Sequence, residues 1–282
     1  MSLRFISAAE VAQRLTAAQA VDALEAALLA GLDPEAEAPR GVVKLDRGQL
    51  LVMPSGAAIQ PVVKLVTVGG EPRIQGICVV FDGTTLAPVA LVDGIAVTNL
   101  RTAAVSALAV RHLAVPDARR LVVFGRGPQA HAHAKALRAM RPVEHVHMVG
   151  RDHGNVDELV AAADIICCCT TAREPLFDGA LVADHATVVA IGSHERDARE
   201  TDDALASRAT IVVESRASAL HEAGDVILAI DGGATTADQL VTLSELVRRE
   251  ANLDADRPRL FKSTGMAWED AVIASALAEA AT

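Results

Sequence analysis

The chain has 282 residues, 51% of them apolar but only 2% aromatic, so it suits one large domain or two ordinary ones with cores of small aliphatics. A formal charge of −10 and the lack of stacking aromatics exclude general nucleic-acid binding, so any bound anion must be held by local, organised donors. Apolar runs are broken by Asp, Arg or Gly before they reach membrane length, and the N-terminal segment is charged where a secretory leader is apolar; a cytoplasmic protein with no membrane partner is expected.

Residues 7–30 read as one helix, with Ser7 as cap, Glu10 at the capping-box position, and Ala20, Val21, Leu24 and Leu28 at helical spacing. Pro34 and Pro39 break the chain. From Gly41 to Leu91 short β-rich runs follow (VVKL, QLLVMP, PVVKLVTV, QGICVVFD, APVALVDG), which predicts a mostly antiparallel sheet with turns at Gly69-Gly70 and Asp82-Gly83. An Ala-rich helix is predicted over 99–114, capped by Thr98 or Asn99, and Pro116-Asp117 marks a boundary. Beyond it, LVVFG, HVHMVG, DIICCCT, TVVAIG and TIVVES alternate with helices ending near Met140 and Ala163. This order predicts a parallel sheet covered on both faces. A last helix is expected over 265–281. Cys78 and the consecutive Cys167, Cys168 and Cys169 lack metal-ligand spacing and read as small buried hydrophobes of a reducing compartment, so no metal site is expected.

The segment LVVFGRGPQAHAHAKAL (121–137) runs a strand into Gly125-x-Gly127-x-x-Ala130 and then a helix. The first Gly permits the tight turn, the second lets backbone approach a pyrophosphate, and the small third residue lets helix pack on strand. Arg126, Pro128 and Gln129 complete the loop. A glycine turn in some other α/β fold is the competing reading. After the second strand, where an NAD-specific site has an acid, stand Gly150 and Arg151, followed by Asp152. Arg151 suits a 2′-phosphate, with His153 assisting, and favours NADP(H) over NAD(H); alternatively Arg151 is solvated and Asp152 holds the ribose.

Several blocks resemble the ornithine cyclodeaminase/mu-crystallin family, which includes ketimine and cyclic imino-acid reductases and an alanine dehydrogenase. They are PRG (39–41), VMPSG (52–56), VVKLVT (62–67), VDGIAVTNLRTAAVSALA (92–109), FGRGPQA, AIGSHERDARETDD (190–203), AGDVI (223–227) and FKSTGMAWEDAVIA (261–274). The resemblance implies an α/β protein: a Rossmann-type parallel-sheet domain over 114–257, and an α+β substrate and dimerisation domain of 1–113 plus 258–282 to which the C-terminal helix returns. It implies a homodimer, and a substrate α-carboxylate held by Arg40, Lys64 and Arg101, with Met53 and Thr67 as pocket walls and Thr102, Thr170 and Ser193 toward the cofactor.

From the residues alone Lys64 reads equally as an edge-strand lysine in solvent, Arg101 as a surface arginine and Met53 as core. Where ornithine cyclodeaminases carry a catalytic acid, AIGSH places His194, which can act as acid or base or merely line the site. Asp197 and Glu200 read as a polar loop and a helix cap. The stretch between Gly150 and Asp164 is short, so one peripheral strand of the parallel sheet is expected to be missing. The resulting expectation is NAD(P)H-dependent reduction of a small cyclic ketimine acid such as Δ1-pyrroline-2-carboxylate, with Lys64 or His194 as proton donor. Ornithine cyclodeamination with recycled NAD, dehydrogenation of an acyclic amino acid and a non-enzymatic binder are the alternatives.

Overall fold

Ser7 and Thr16 each stand three residues ahead of a Glu or Gln, and both close capping boxes. The run read as one helix is therefore two. After strand β1 (Arg4–Ile6), helix α1 (Ala8–Arg14) ends where Thr16 turns extended and starts α2 (Ala17–Leu29). The break costs little, because each box satisfies helix N–H groups that an uncapped end would leave bare. The computed structural model describes residues 3–56, 58, 60–151 and 154–279. It divides into two compact units: Met1–Val105 with Met266–Thr282, and Ser106–Gly265.

In the first unit, β2 (Gly41–Leu45), β3 (Gly48–Ser55), β4 (Val62–Val68), β5 (Ile74–Phe81) and β6 (Pro88–Asp93) form an antiparallel sheet, and β1 adds in parallel beside β6. Asp82 makes its expected turn by accepting from the Thr84 and Thr85 N–H groups. Helix α3 (Gly94–Leu113) starts five residues earlier than the sequence indicates. Asp93 is its cap, with one carboxylate oxygen accepting from Ile95 N at 3.0 Å and Ala96 N at 2.9 Å. Thr98 and Asn99 lie inside the helix.

The second unit holds a seven-stranded parallel sheet. Its elements are β7 (Arg120–Phe124), α4 (Pro128–Met140), β8 (His145–Val149), α5 (Val156–Ala162), β9 (Ile165–Cys168), β10 (Thr187–Ala190), α6 (Asp203–Arg208), β11 (Thr210–Val213), α7 (Arg216–Glu222), α8 (Gly224–Asp231), β12 (Val241–Thr242), α9 (Leu243–Val247) and β13 (Arg259–Lys262). The strand order is β12-β11-β13-β10-β9-β7-β8. Every residue of β9, β10 and β13 is buried, which explains the continuous apolar runs of the first two. β8 is the edge strand beside β7. β13 carried no apolar signature, because two of its four residues are cations, yet it pairs with both β10 and β11 in the middle of the sheet. It falls outside the 114–257 boundary drawn from sequence.

The last helix, α10 (Ala267–Glu279), belongs to the first unit, where Ala267 joins Leu51, Met53 and Val66 in one apolar cluster. Its Trp268 is fully buried. Because Asp93 satisfies two N–H groups at the start of α3, Asp93→Ala should lower stability by about 1 kcal/mol in urea denaturation. Asp93→Asn, which keeps the accepting oxygen, should recover most of it.

Candidate active site

Lys64 lies on β4, between β3 and β5, and its side chain is 2% exposed, so the solvent-facing edge lysine is corrected. Burial alternates along β4, and Val62, Lys64 and Val66 share the covered face. Met53 is opposite Lys64 on β3, and Cys78 opposite it on β5. Arg40 immediately precedes β2, whose pairing with β3 begins at Gly41 opposite Val52, and it is half-buried. Met53 is buried and belongs to the apolar cluster under α10.

Two acids of α10 meet the cations. Lys64 Nζ is 2.7 Å from an Asp270 carboxylate oxygen and 3.5 Å from Thr98 Oγ1. Arg101, on α3 and 6% exposed, donates from Nη1 to Glu269 at 2.7 Å and from Nε to Asp270 at 3.2 Å. The surface-arginine reading is therefore also corrected. Glu269 and Asp270 are completely buried, and the four charges balance. Burial pushes the Lys64 ammonium below the ordinary lysine value, while Asp270 pulls it back up. Next to it, the Cys78 thiol is pushed up to about 12, chiefly by burial. Thr102, one turn after Thr98, donates to the Thr98 carbonyl at 2.7 Å.

In the second unit Gly125 has φ +115°, and a Cβ there would stand 2.5 Å from the Cys169 carbonyl oxygen. Only glycine fits this turn. Gly127 caps α4 without any side-chain hydrogen bond, Pro128 takes the first turn, and nothing lies within 4 Å of where a Gly127 Cβ would point. The helix N-terminus is therefore open to an anion. Buried Ala130 packs α4 on the sheet, with Gln129 half-buried beside it. The Arg126 guanidinium reaches over to Gly150, where a Cβ would lie 2.9 Å from its central carbon. Arg151 follows, exposed. Asp152 and His153 lie outside the described residues.

The loops after β9 and β10 are tied by one carboxylate. Glu200 accepts from Thr170 N at 2.8 Å, Thr170 Oγ1 at 2.7 Å and Gly192 N at 2.7 Å, and it is fully buried. It is no helix cap; Asp202 caps α6 instead. Asp197 is exposed and paired with Arg173 at 2.6 Å. The backbone of Glu200 is held in turn by Asp225, which pairs with Lys262 at 2.9 Å. Lys262 also donates to the Ser193 carbonyl at 2.8 Å, so the loop carrying Ser193 and half-buried His194 is fixed from below. Burial raises the Glu200 carboxyl to about 7. At the end of β9, Cys169 is pulled down to about 5, first by a hydrogen bond from Cys167 and then by His133.

Asp225, Lys262, Glu269 and Asp270 were not singled out from the sequence, and Glu200 was read there only as a helix cap. The available signal was a charged residue inside an apolar or small-residue run, as in AGDVI, RLFKS and AWEDAV, where a charge must find a partner.

A profile of the ornithine cyclodeaminase/mu-crystallin family matches residues 2–160 and 153–282. The chain belongs to this family. Among family members, it is 34% identical to the ketimine reductase mu-crystallin of Rattus norvegicus, across 96% of this chain and 95% of that one. It is 35% identical to a Δ1-pyrroline-2-carboxylate reductase of Colwellia psychrerythraea across 74% of each. The Δ1-pyrroline-2-carboxylate reductase of Thermococcus litoralis, solved with NADH and L-proline, superposes with a TM-score of 0.90 at 25% identity, over 99% of this chain and 97% of that one.

Glu200 yields a pH test. An acid whose value rises from 4.5 to about 7 on folding adds stability that is complete below 4.5 and lost as the pH climbs through about 7. Thermal midpoints should therefore fall across that window, by the equivalent of a few kcal/mol. Glu200→Gln should flatten the fall.

Proposed function

We propose that this chain reduces a small cyclic ketimine acid of the Δ1-pyrroline-2-carboxylate kind, with NADPH preferred over NADH. The observation that carries the reading is the buried, balanced cluster of Lys64, Arg101, Glu269 and Asp270, in a chain whose relatives are named ketimine and Δ1-pyrroline-2-carboxylate reductases. Guanidinium and ammonium groups each have several N–H donors, so Lys64 and Arg101 can carry a carboxylate from α10 and also grip a substrate carboxylate, with Arg40 as the third cation and Met53 as an apolar wall. Lys64, its ammonium weakened by burial, is suited to give a proton to the imine nitrogen; His194 is the other candidate donor.

The open N-terminus of α4 and the Gly125–Ala130 loop suit the phosphates of a dinucleotide, and Arg126 and Arg151 beside Gly150 suit a 2′-phosphate. Bound there, the nicotinamide supplies the hydride. Thr102, Thr170, Ser193 and Asp152 are assigned to the same cofactor. Exposed Val42, Val43 and Leu45 on edge strand β2 favour a homodimer, since a second copy would cover them. Four free cysteines suit a reducing cytoplasm, and no described helix is long and apolar enough to cross a membrane.

The test follows nicotinamide absorbance with Δ1-pyrroline-2-carboxylate and its six-membered homologue. NADPH should be consumed faster than NADH, and Arg101→Lys, which keeps the charge but loses the planar fork, should raise KM by roughly tenfold or more. Silence with both cofactors, alongside proline and ammonia formation from ornithine with catalytic NAD, would replace reductase with cyclodeaminase. Gly150→Asp should shift the cofactor preference toward NADH by about tenfold, by repelling a 2′-phosphate and accepting from ribose hydroxyls.

Asp270→Asn tests the proton donor. Asp270 raises the Lys64 value, so removing its charge lowers that value further, and the protonated amine is lost at lower pH. The alkaline limb of kcat/KM should move to lower pH; an unmoved limb would take the donor role away from Lys64.

A further inference from the structure

We infer that His133, Cys167 and Cys169 form a binding site for a soft divalent cation of the zinc class, built under the phosphate loop of the second unit. The three ligand atoms all lie within 4.8 Å of one another. A tetrahedral ion with metal–sulfur bonds of about 2.3 Å sets its two sulfurs roughly 3.8 Å apart; the Cys167 and Cys169 Sγ atoms are 3.5 Å apart. Cys169 directly follows β9, two positions after Cys167, and the two sulfurs converge there.

The imidazole is already oriented as a ligand. His133 Nδ1 donates to the Gln129 carbonyl one turn back on α4, at 2.8 Å. That bond fixes the proton on Nδ1 and turns Nε2 toward the sulfurs, the arrangement in which a backbone carbonyl holds the far nitrogen of a metal-bound histidine. The buried Ser106 hydroxyl lies 2.9 Å from Nε2 and is the oxygen available for a fourth position. His133 and Cys167 are fully buried while Cys169 is partly exposed, so an ion has an entry side and a dry interior side.

Charge is consistent with burial. The two thiols release their protons to solvent, and two thiolates with one divalent ion leave a neutral group, which a buried site tolerates far better than a bare charge. Thiolate and imidazole ligands select zinc or cadmium over magnesium or calcium. An ion here would join the end of β9 to α4. It would also brace the dinucleotide turn, because Cys169 N–H donates to the Phe124 carbonyl and the Cys169 carbonyl abuts Gly125.

The experiment uses the full chain, kept reduced with a non-thiol reductant, and titrates cadmium alone and then zinc. One equivalent of cadmium should produce the ultraviolet thiolate-to-metal band and raise Tm, and zinc should displace it. Magnesium should do neither. Cys169→Ser and Cys167→Ser should each lose most of the band, His133→Gln should weaken binding by at least about tenfold, and Cys78→Ser should bind as the parent does. Circular dichroism reports which variants are folded. Because His133→Gln and Cys169→Ser remove different elements, loss of folding in one leaves the other decisive. No band in the parent chain, or a band unchanged in folded Cys169→Ser, would overturn the assignment.

Discussion

Lys64 and Arg101 are cations taken out of water, and each would cost several kcal/mol there without an opposing carboxylate. Both acids come from α10, at adjacent positions on a helix more than one hundred and fifty residues further along the chain. The first unit therefore cannot be completed by its N-terminal part alone. Sheet, α3 and α10 have to meet before the charges balance, and the apolar contacts of Ala267 and Trp268 bring the helix in at a register that serves Glu269 and Asp270. A buried ion pair adds little net stability over an apolar core of the same shape. Its value here is that two cations are fixed in a dry place, each against a carboxylate of α10.

The second unit repeats this logic with different parts. Lys262 enters the middle of the sheet on β13 and is neutralised by Asp225, whose other oxygen holds the backbone of Glu200 and Thr201. Glu200 in turn accepts from the two loops at the ends of β9 and β10. The loops after β9 and β10 are thus clamped by a buried carboxylate. This costs ordering entropy in folding but leaves less to be lost when a ligand binds.

What was legible in the sequence is what is local. The parallel strands announce themselves through continuous apolar runs, and Gly125-x-Gly127 through a turn that only its position between strand and helix makes meaningful. The split at Thr16 was legible in principle, because Thr16 and Gln19 are a capping box, but it is masked by apolar spacing that continues across it. The early start of α3 depends on Asp93, a cap that also ends a strand. Whether Lys64 faces inward could not be read from β4, since a lysine between Val63 and Leu65 is compatible with either face. Its direction is decided by Asp270, a non-local partner. β13 failed for the same reason: Arg259 and Lys262 look solvated until the carbonyl of His185 and the carboxylate of Asp225 are found against them.

The overall charge sets the terms on which any of this binds an anion. At −10, the chain offers no long-range attraction to a dinucleotide or a carboxylate, and exposed cations would be screened within about 10 Å at ordinary ionic strength. Affinity must then come from short-range, fixed donors. The uncapped α4 N-terminus and the Lys64–Arg101 pair have this character: they are held by backbone geometry or by buried partners, whereas Arg126 over Gly150 is exposed. A binder that relied on surface charge would be sensitive to salt throughout. One built from these donors should keep most of its affinity as salt rises, because desolvated contacts of defined geometry are screened least.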